Sequence, residues 1–215
     1  PRTLSRAGTD PAGSPFVVPL SINGLLAAQI GSHLGLPDLF NTETGRSGIG
    51  RFGLMDGASI FSYNGLFPPE PSAWEKSVLG WTKPFVLDPE SSDQISLPAV
   101  SIRKPESVAK IELTHSEYFL IENRHRDPNN EGVTLTIRKS DGITVQQTFS
   151  NRDTPFINQE QGFDQLLEPG VVIDVSKYDF SLPGGIIEDQ NMERELNGGI
   201  LIWHIDEGAI ASGLE

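Results

Sequence analysis

The stretch Leu26–Asp38 reads LAAQIGSHLGLPD, and it decides how the rest of the chain is interpreted. Ser21 is a candidate N-cap ahead of it, and Gly35 and Pro37 are stop signals at its end. Between them, apolar side chains recur at helical spacing: Leu25, Leu26, Ile30 and Leu34. The pattern predicts a helix of about three turns that closes in a sharp bend.

The composition of the 215-residue chain excludes several classes of function. Sixteen Lys and Arg stand against 29 Asp and Glu, and the net charge of -13 opposes binding to nucleic acid or to anionic lipid. The absence of cysteine excludes disulfides, thiolate metal sites and a cysteine nucleophile. No apolar run approaches the roughly 20 residues that cross a bilayer. We therefore expect a folded, acidic protein with neither a membrane span nor a nucleic-acid partner.

The predicted elements fall into two parts of the chain. Residues 1–20 are rich in Pro, Gly, Ser and Thr and predict an irregular lead-in, with a short strand at Phe16–Val18. Glycines and prolines in 41–70 predict a long loop with tight turns, and Ser72 predicts the start of a second short helix. Beyond Trp81 the pattern is that of strands, with clear alternation of apolar and polar residues. The order predicts an α+β protein or a pair of modules.

The opening stretch also fits part of a zinc-peptidase pattern, H-E-x-x-H-x-x-G-x-x-H/D. In that pattern, two histidines on one helix face and a third ligand after a glycine bend hold the metal, and the glutamate activates its water. Gly35 occupies the bend and Asp38 the third-ligand position. The two histidine positions hold Ala28 and Ser32, and the glutamate position holds Gln29.

Further sequence blocks occur one after another along residues 24–207. They are LGLPDLF at Leu34–Phe40, GLMDG at Gly53–Gly57, SAWEKSVLGW at Ser72–Trp81, EYFLIENR at Glu117–Arg124, GFD at Gly162–Asp164 and GGILIWHIDE at Gly198–Glu207. Together with the helix, these blocks resemble the immune inhibitor A-like family of secreted zinc metallopeptidases, which belongs to the metzincin group.

The resemblance implies a fold and a cellular location. Residues 1–84 would be the C-terminal part of a metzincin-like catalytic domain, containing the active-site helix and a Met-turn with Met55 as a packing residue. Residues 85–215 would be a β-rich, sandwich-like domain that is truncated at its C-terminal end. We expect the chain to be a piece of a larger secreted polypeptide, with its helix packed on another segment of that polypeptide.

The sequence departs from the family pattern at the zinc-ligand and general-base positions. Ala28 offers no ligand, Ser32 is a poor one at neutral pH, and Gln29 cannot accept a proton from a zinc-bound water. Asp38 alone would not retain zinc. We therefore expect a non-catalytic pseudopeptidase without zinc, with a binding or structural role. Two alternatives stay open: an active peptidase whose motif is altered or completed by another chain, and a structural subunit that contacts other subunits of an extracellular assembly.

A second acidic segment leaves calcium open as a cofactor. Asp127, Asn129 and Glu131 alternate ahead of Gly132, as in the first half of a calcium loop. The bidentate glutamate of an EF-hand is replaced by Arg138, so this segment is not an EF-hand. A polar hairpin turn and a weak calcium site are the two interpretations.

Overall fold

The computed structural model describes residues 4–9, 12–60, 62–91, 94–99, 107–152, 163–189 and 192–212. Within them the protein is mixed α+β, as predicted, with strands in several sheets and few, short helices. The helices are α1 Asn23–His33, α2 Gly57–Ile60, α3 Ala73–Val78 and α4 Glu207–Ser212, with single 3-10 turns at Gly50–Phe52, Ser62–Gly65 and Phe163–Leu166. No helix among the described residues has the length and apolar character to cross a membrane.

The described part of the chain contains eleven strands in four sheets. They are β1 Leu4–Thr9, β2 Pro15–Leu20, β3 Phe85–Val86, β4 Val108–Glu112, β5 Glu117–His125, β6 Val133–Arg138, β7 Thr144–Phe149, β8 Val171–Val175, β9 Ile186–Asp189, β10 Met192–Glu195 and β11 Gly198–Asp206. The largest sheet has the order β11-β5-β4-β3, and a three-stranded sheet has the order β7-β6-β8. β1 with β2 and β9 with β10 form antiparallel pairs, whereas β3 runs parallel to β4.

The amino-terminal segment corrects one prediction. The irregular lead-in expected for residues 1–20 contains a hairpin, in which Leu4 pairs with Leu20 and Thr9 with Pro15. Prolines are tolerated here because each strand of a two-stranded ribbon is an edge strand, where a missing N–H need not remove a ladder hydrogen bond. The strand predicted at Phe16–Val18 is confirmed as part of β2.

Helix α1 is confirmed, but its small residues, rather than its large apolar ones, are buried. Its buried positions are Gly24, Ala28 and Gly31. A Cβ atom on Gly24 would lie 2.0 Å from the carbonyl oxygen of Ile60, so only glycine permits this approach to α2. The apolar stripe that predicted the helix lies on its exposed side: Leu25, Leu26, Ile30 and Leu34.

Among the described residues, two hydrophobic clusters form the core. The first joins α1 and α3 to the four-stranded sheet, and its buried members are Ala28, Leu36, Leu39, Leu54, Met55, Ala73, Trp74, Val108, Leu120 and Ile205. The second packs aromatic rings against the three-stranded sheet: Tyr63, Phe67, Val133, Leu135, Ile137, Phe149, Phe163 and Phe180. Each cluster contains residues from both 1–84 and 85–215. The division into two domains at residue 84 stays a prediction.

Candidate functional site

Helix α1, the bend after it and the loop around Met55 form one packed unit. Met55 is 1% exposed, and its sulfur would lie 2.7 Å from a Cβ atom on Gly31, so the thioether fills the space that the glycine leaves. Gly35 turns the chain with a φ of 100°, a backbone conformation that favours glycine. The backbone N–H of Leu39 then donates to the carbonyl oxygen of Met55 at 2.9 Å.

A buried aspartate shapes the loop that leads to Met55. Asp56 is fully buried, and one of its carboxylate oxygens accepts three hydrogen bonds. The donors are the hydroxyl of Ser47 at 2.8 Å, the N–H of Gly48 at 2.9 Å and the N–H of Ile49 at 3.0 Å. These bonds satisfy a buried charge with local donors and fix the loop.

Glu75 on α3 ties the same loop to the second helix. Its fully buried carboxylate accepts hydrogen bonds from the N–H groups of Leu54 at 3.1 Å and Met55 at 2.7 Å. It also accepts one from the N–H of Ser72, while the Ser72 hydroxyl accepts one from the N–H of Glu75 at 3.2 Å. The last two bonds are a capping box, which confirms the helix start predicted at Ser72.

The motif positions separate into buried and exposed side chains. Ala28 is 3% exposed and belongs to the same core cluster as Met55. Gln29, Ser32 and Asp38 are exposed. The described residues contain no group of three or more His, Cys, Asp or Glu that could hold a metal ion. A methyl group, an amide, a hydroxyl and a single carboxylate do not fit a catalytic zinc ion, which takes three protein ligands from histidine, cysteine and carboxylate side chains.

The segment weighed as a calcium loop forms the turn between β5 and β6. Asp127 is buried, and its two carboxylate oxygens accept hydrogen bonds from the N–H groups of Glu131 at 3.1 Å and Gly132 at 2.7 Å. Asn129 and Glu131 are exposed, and the Asn129 amide lies 3.5 Å from a carboxylate oxygen of Glu131. The hydrogen bonds of Asp127 support the hairpin-turn interpretation, and calcium stays a prediction.

A buried network of charges was not predicted from the sequence. The side chain of Arg124 on β5 is fully buried and donates to Asp179 from Nε at 2.8 Å, to Ser181 from Nη2 at 2.9 Å and to the carbonyl of Phe52 from Nη1 at 2.5 Å. Burial by itself would lower the pKa of Arg124, but the negative charges around it, Asp179 first among them, raise that pKa above its ordinary value.

The network continues along the same strand. Glu122 accepts hydrogen bonds from Lys76 Nζ at 3.0 Å and from the indole N–H of Trp203 at 3.0 Å. The signal in the sequence was the alternation of β5, which places Glu122 and Arg124 on the inward face with Leu120. Charged residues at core positions require buried partners.

A smaller polar cluster joins β5, α3 and α4. The hydroxyl of Tyr118 donates to the Glu207 carboxylate, which also accepts a hydrogen bond from the indole N–H of Trp74 at 3.2 Å. Burial, and then the hydrogen bond and the charge of Glu207, raise the pKa of Tyr118 well above its usual value. This cluster fixes the carboxyl end of the described chain to the first core cluster.

Comparison with known proteins adds no relative to this picture. No family model, no curated protein and no solved structure matches this chain.

Proposed function

We propose that this chain is a non-catalytic, metallopeptidase-like segment of a larger secreted protein, with a binding or structural role. One observation carries the proposal. Ala28 stands where the resemblance places the first zinc-binding histidine, and its methyl group is buried in the same apolar cluster as Met55. A hydrophobic contact thus occupies the position that would supply a ligand.

The neighbouring positions support the same interpretation. Gln29 stands where the family has its glutamate, and an amide cannot act as a general base because it does not bind a proton at neutral pH. Ser32 presents a hydroxyl, which binds zinc poorly unless it is deprotonated. The helix, the Gly35 bend and the Met55 loop supply the scaffold around these positions, held by side-chain packing and backbone hydrogen bonds.

The exposed side of α1 supports a binding or structural role. Leu26 and Ile30 on α1 and Leu34 just after it are 50%, 61% and 51% exposed, and α1 carries no Lys, Arg, Asp or Glu. Contiguous apolar surface of this kind marks a contact site in soluble proteins. We propose another segment of the same polypeptide as the partner of this face. A subunit of an extracellular assembly is the second candidate function, and the same exposed face is the observation that favours it.

Metal analysis tests the non-catalytic half of the proposal. Wild type and the variant Asp38→Ala would be exposed to zinc, dialysed and analysed for bound metal and for hydrolysis of an unfolded protein substrate, with and without a chelator. We expect far less than one zinc per chain in both proteins and no hydrolysis that the chelator abolishes. One zinc per wild-type chain that is lost in D38A, together with chelator-sensitive hydrolysis, would overturn the proposal.

Substitutions on α1 test the binding half. The double variant Leu26→Ser with Ile30→Ser should reduce the fluorescence of a dye that binds exposed apolar surface, and should leave the free energy of unfolding close to that of wild type. Leu39→Ser is the matched control. Leu39 is 4% exposed, so its replacement by serine should destabilise the fold strongly. If the α1 variant were as unstable as this control, the face would be packed within the chain itself and the binding role would fail.

A further inference from the structure

Strand β11 is a long edge strand without the usual protection against pairing. It runs for nine residues and, among the described residues, pairs with β5 alone. Its register with β5 is continuous from Gly198 to Asp206 without a bulge. Ile200 and Ile202 on its outer face are 54% and 65% exposed. Natural edge strands are usually short, bulged, or guarded by lysine or proline, and β11 has none of these features.

The other edge strands of the two larger sheets have features that oppose pairing with a further strand. β3 has only two residues. β8 carries Asp174 and its pairing with β6 is interrupted by a register shift. β7 presents Thr144, Gln146 and Thr148 on its exposed face. β8 also exposes Val171, Ile173 and Val175, but it has only five residues. Among the described edge strands of these two sheets, β11 combines exposed apolar residues with nine residues of unbroken register.

We propose that β11 pairs antiparallel with β11 of a second copy of this chain, about a two-fold axis at Ile202. Ile202 is the central residue of the strand, so this register opposes Ile202 to its own copy and Leu201 to Trp203. Aromatic and aliphatic residues in directly opposed positions stabilise a strand pair. The two four-stranded sheets would become one sheet of eight strands, with Ile202 of both copies on the same face.

The distribution of charge favours β11 as the contact surface and antiparallel as the direction of pairing. Each copy has a net charge of -13, so two copies repel one another, and a contact surface without charged residues adds the least to that repulsion. No Lys, Arg, Asp or Glu occurs from Gly198 to Ile205. Antiparallel pairing opposes Asp206 to Gly198 and keeps the two aspartates at opposite ends of the interface. Parallel pairing would place the two aspartates side by side.

The mass of the chain in solution tests this proposal, which does not depend on the proposed function. Sedimentation or light scattering of wild type over a range of concentrations should show twice the 23.4 kDa chain mass at the upper end. Ile202→Lys should restore the monomer mass across the range. Ile143→Lys is the matched control, because Ile143 is 59% exposed on a turn before β7, and it should leave the dimer intact. A wild type that stays monomeric, or a dimer that survives I202K, would overturn the proposal.

The chain contains no cysteine, so a single introduced thiol reports on the register. Directly opposed residues of an antiparallel pair have Cβ atoms about 4.5–5.5 Å apart, and a short thiol-to-thiol cross-linker spans that distance. Ile202→Cys should therefore cross-link rapidly into a covalent dimer, and Ile143→Cys should do so many-fold more slowly. Equal rates for the two variants would refute the register. Loss of the dimer in the α1 double variant, with no loss in I202K, would place the interface on α1 instead and would also overturn the proposal.

Discussion

Replacing Glu75 by glutamine is expected to loosen the loop that holds Met55. The carboxylate accepts hydrogen bonds from three backbone N–H groups, those of Leu54, Met55 and Ser72, in a fully buried position. A glutamine side chain has nearly the same size and keeps only one acceptor oxygen. The variant therefore changes the hydrogen bonding while leaving the packing almost unaltered.

The magnitude follows from the better of the two amide orientations. With its oxygen toward Leu54 and Ser72, the amide keeps two bonds and turns an N–H group toward the N–H of Met55, a contact now at 2.7 Å from the carboxylate. A hydrogen bond to a charged group contributes about 1.5–3 kcal/mol, and a buried donor left without an acceptor costs about 1–3 kcal/mol. Since both figures concern the same donor and the two retained bonds become weaker, we expect a loss of about 2–4 kcal/mol.

Urea unfolding followed by tryptophan fluorescence and by circular dichroism measures this loss, provided that the two transitions coincide. For a chain of this length, about 3 kcal/mol corresponds to a fall of roughly 6–12 °C in Tm. Glu43→Gln is the control, because Glu43 is exposed and its replacement should change stability by less than about 0.5 kcal/mol. Equal stabilities for E75Q and E43Q would refute the conclusion that this carboxylate holds the loop.

The remaining predictions concern packing, cation binding and pH. Met55→Ala should cost about 2–5 kcal/mol, whereas Met192→Ala, at a side chain 63% exposed, should cost less than about 0.5 kcal/mol. Gly31→Ala should cost about 1–3 kcal/mol because the added methyl group meets the Met55 sulfur. Most of that cost should disappear in the double variant G31A/M55A. If the stability losses of the two single variants simply added up, the contact would be contradicted. Asp127→Asn should cost about 1–3 kcal/mol, because it weakens the hydrogen bonds that close the turn between β5 and β6. Calcium should not raise the Tm of wild type. A calcium-dependent rise in Tm that is absent in D127N would instead show a cation site. Because the pKa of Tyr118 is raised, the folded state keeps this proton when the unfolded chain has lost it, so the free energy of unfolding should fall as the pH rises above the ordinary value of 10. Tyr118→Phe should flatten that fall in unfolding experiments at alkaline pH, and an unchanged slope would exclude the effect.

The periodicity of α1 predicted the helix but not the side that packs. Apolar residues at helical spacing usually mark the buried face, because burial of large side chains stabilises the fold. In α1 the opposite side is buried, through Gly24, Ala28 and Gly31, since close approach to α2 and to Met55 requires small residues. A sequence pattern records that a face is apolar, and only the three-dimensional contacts show which partner covers it.

Other parts of the fold could be predicted to different degrees. The capping box at Ser72 and the long alternating strands were predictable, because their signals lie within a few neighbouring residues. Strands β9 and β10 carry several charges and are exposed along most of their length, so alternation gave no signal for them. The partner of Arg124 lies 55 positions away at Asp179. Such a pairing depends on topology, which local patterns do not contain.

The contacts around Met55 hold α1, the bend after it and α3 together through packing and hydrogen bonds. A structural metal site contributes folding free energy by joining distant segments through one ion. Here the segments are joined by other means: Met55 packs under Gly31, Leu39 donates to the Met55 carbonyl, and Glu75 binds the loop from α3. None of these three contacts involves the side chains of Gln29 or Ser32, so substitutions at those two positions should cost little stability. Substitutions at Met55 or Glu75 should be costly, because each of these side chains joins segments that are distant in the sequence.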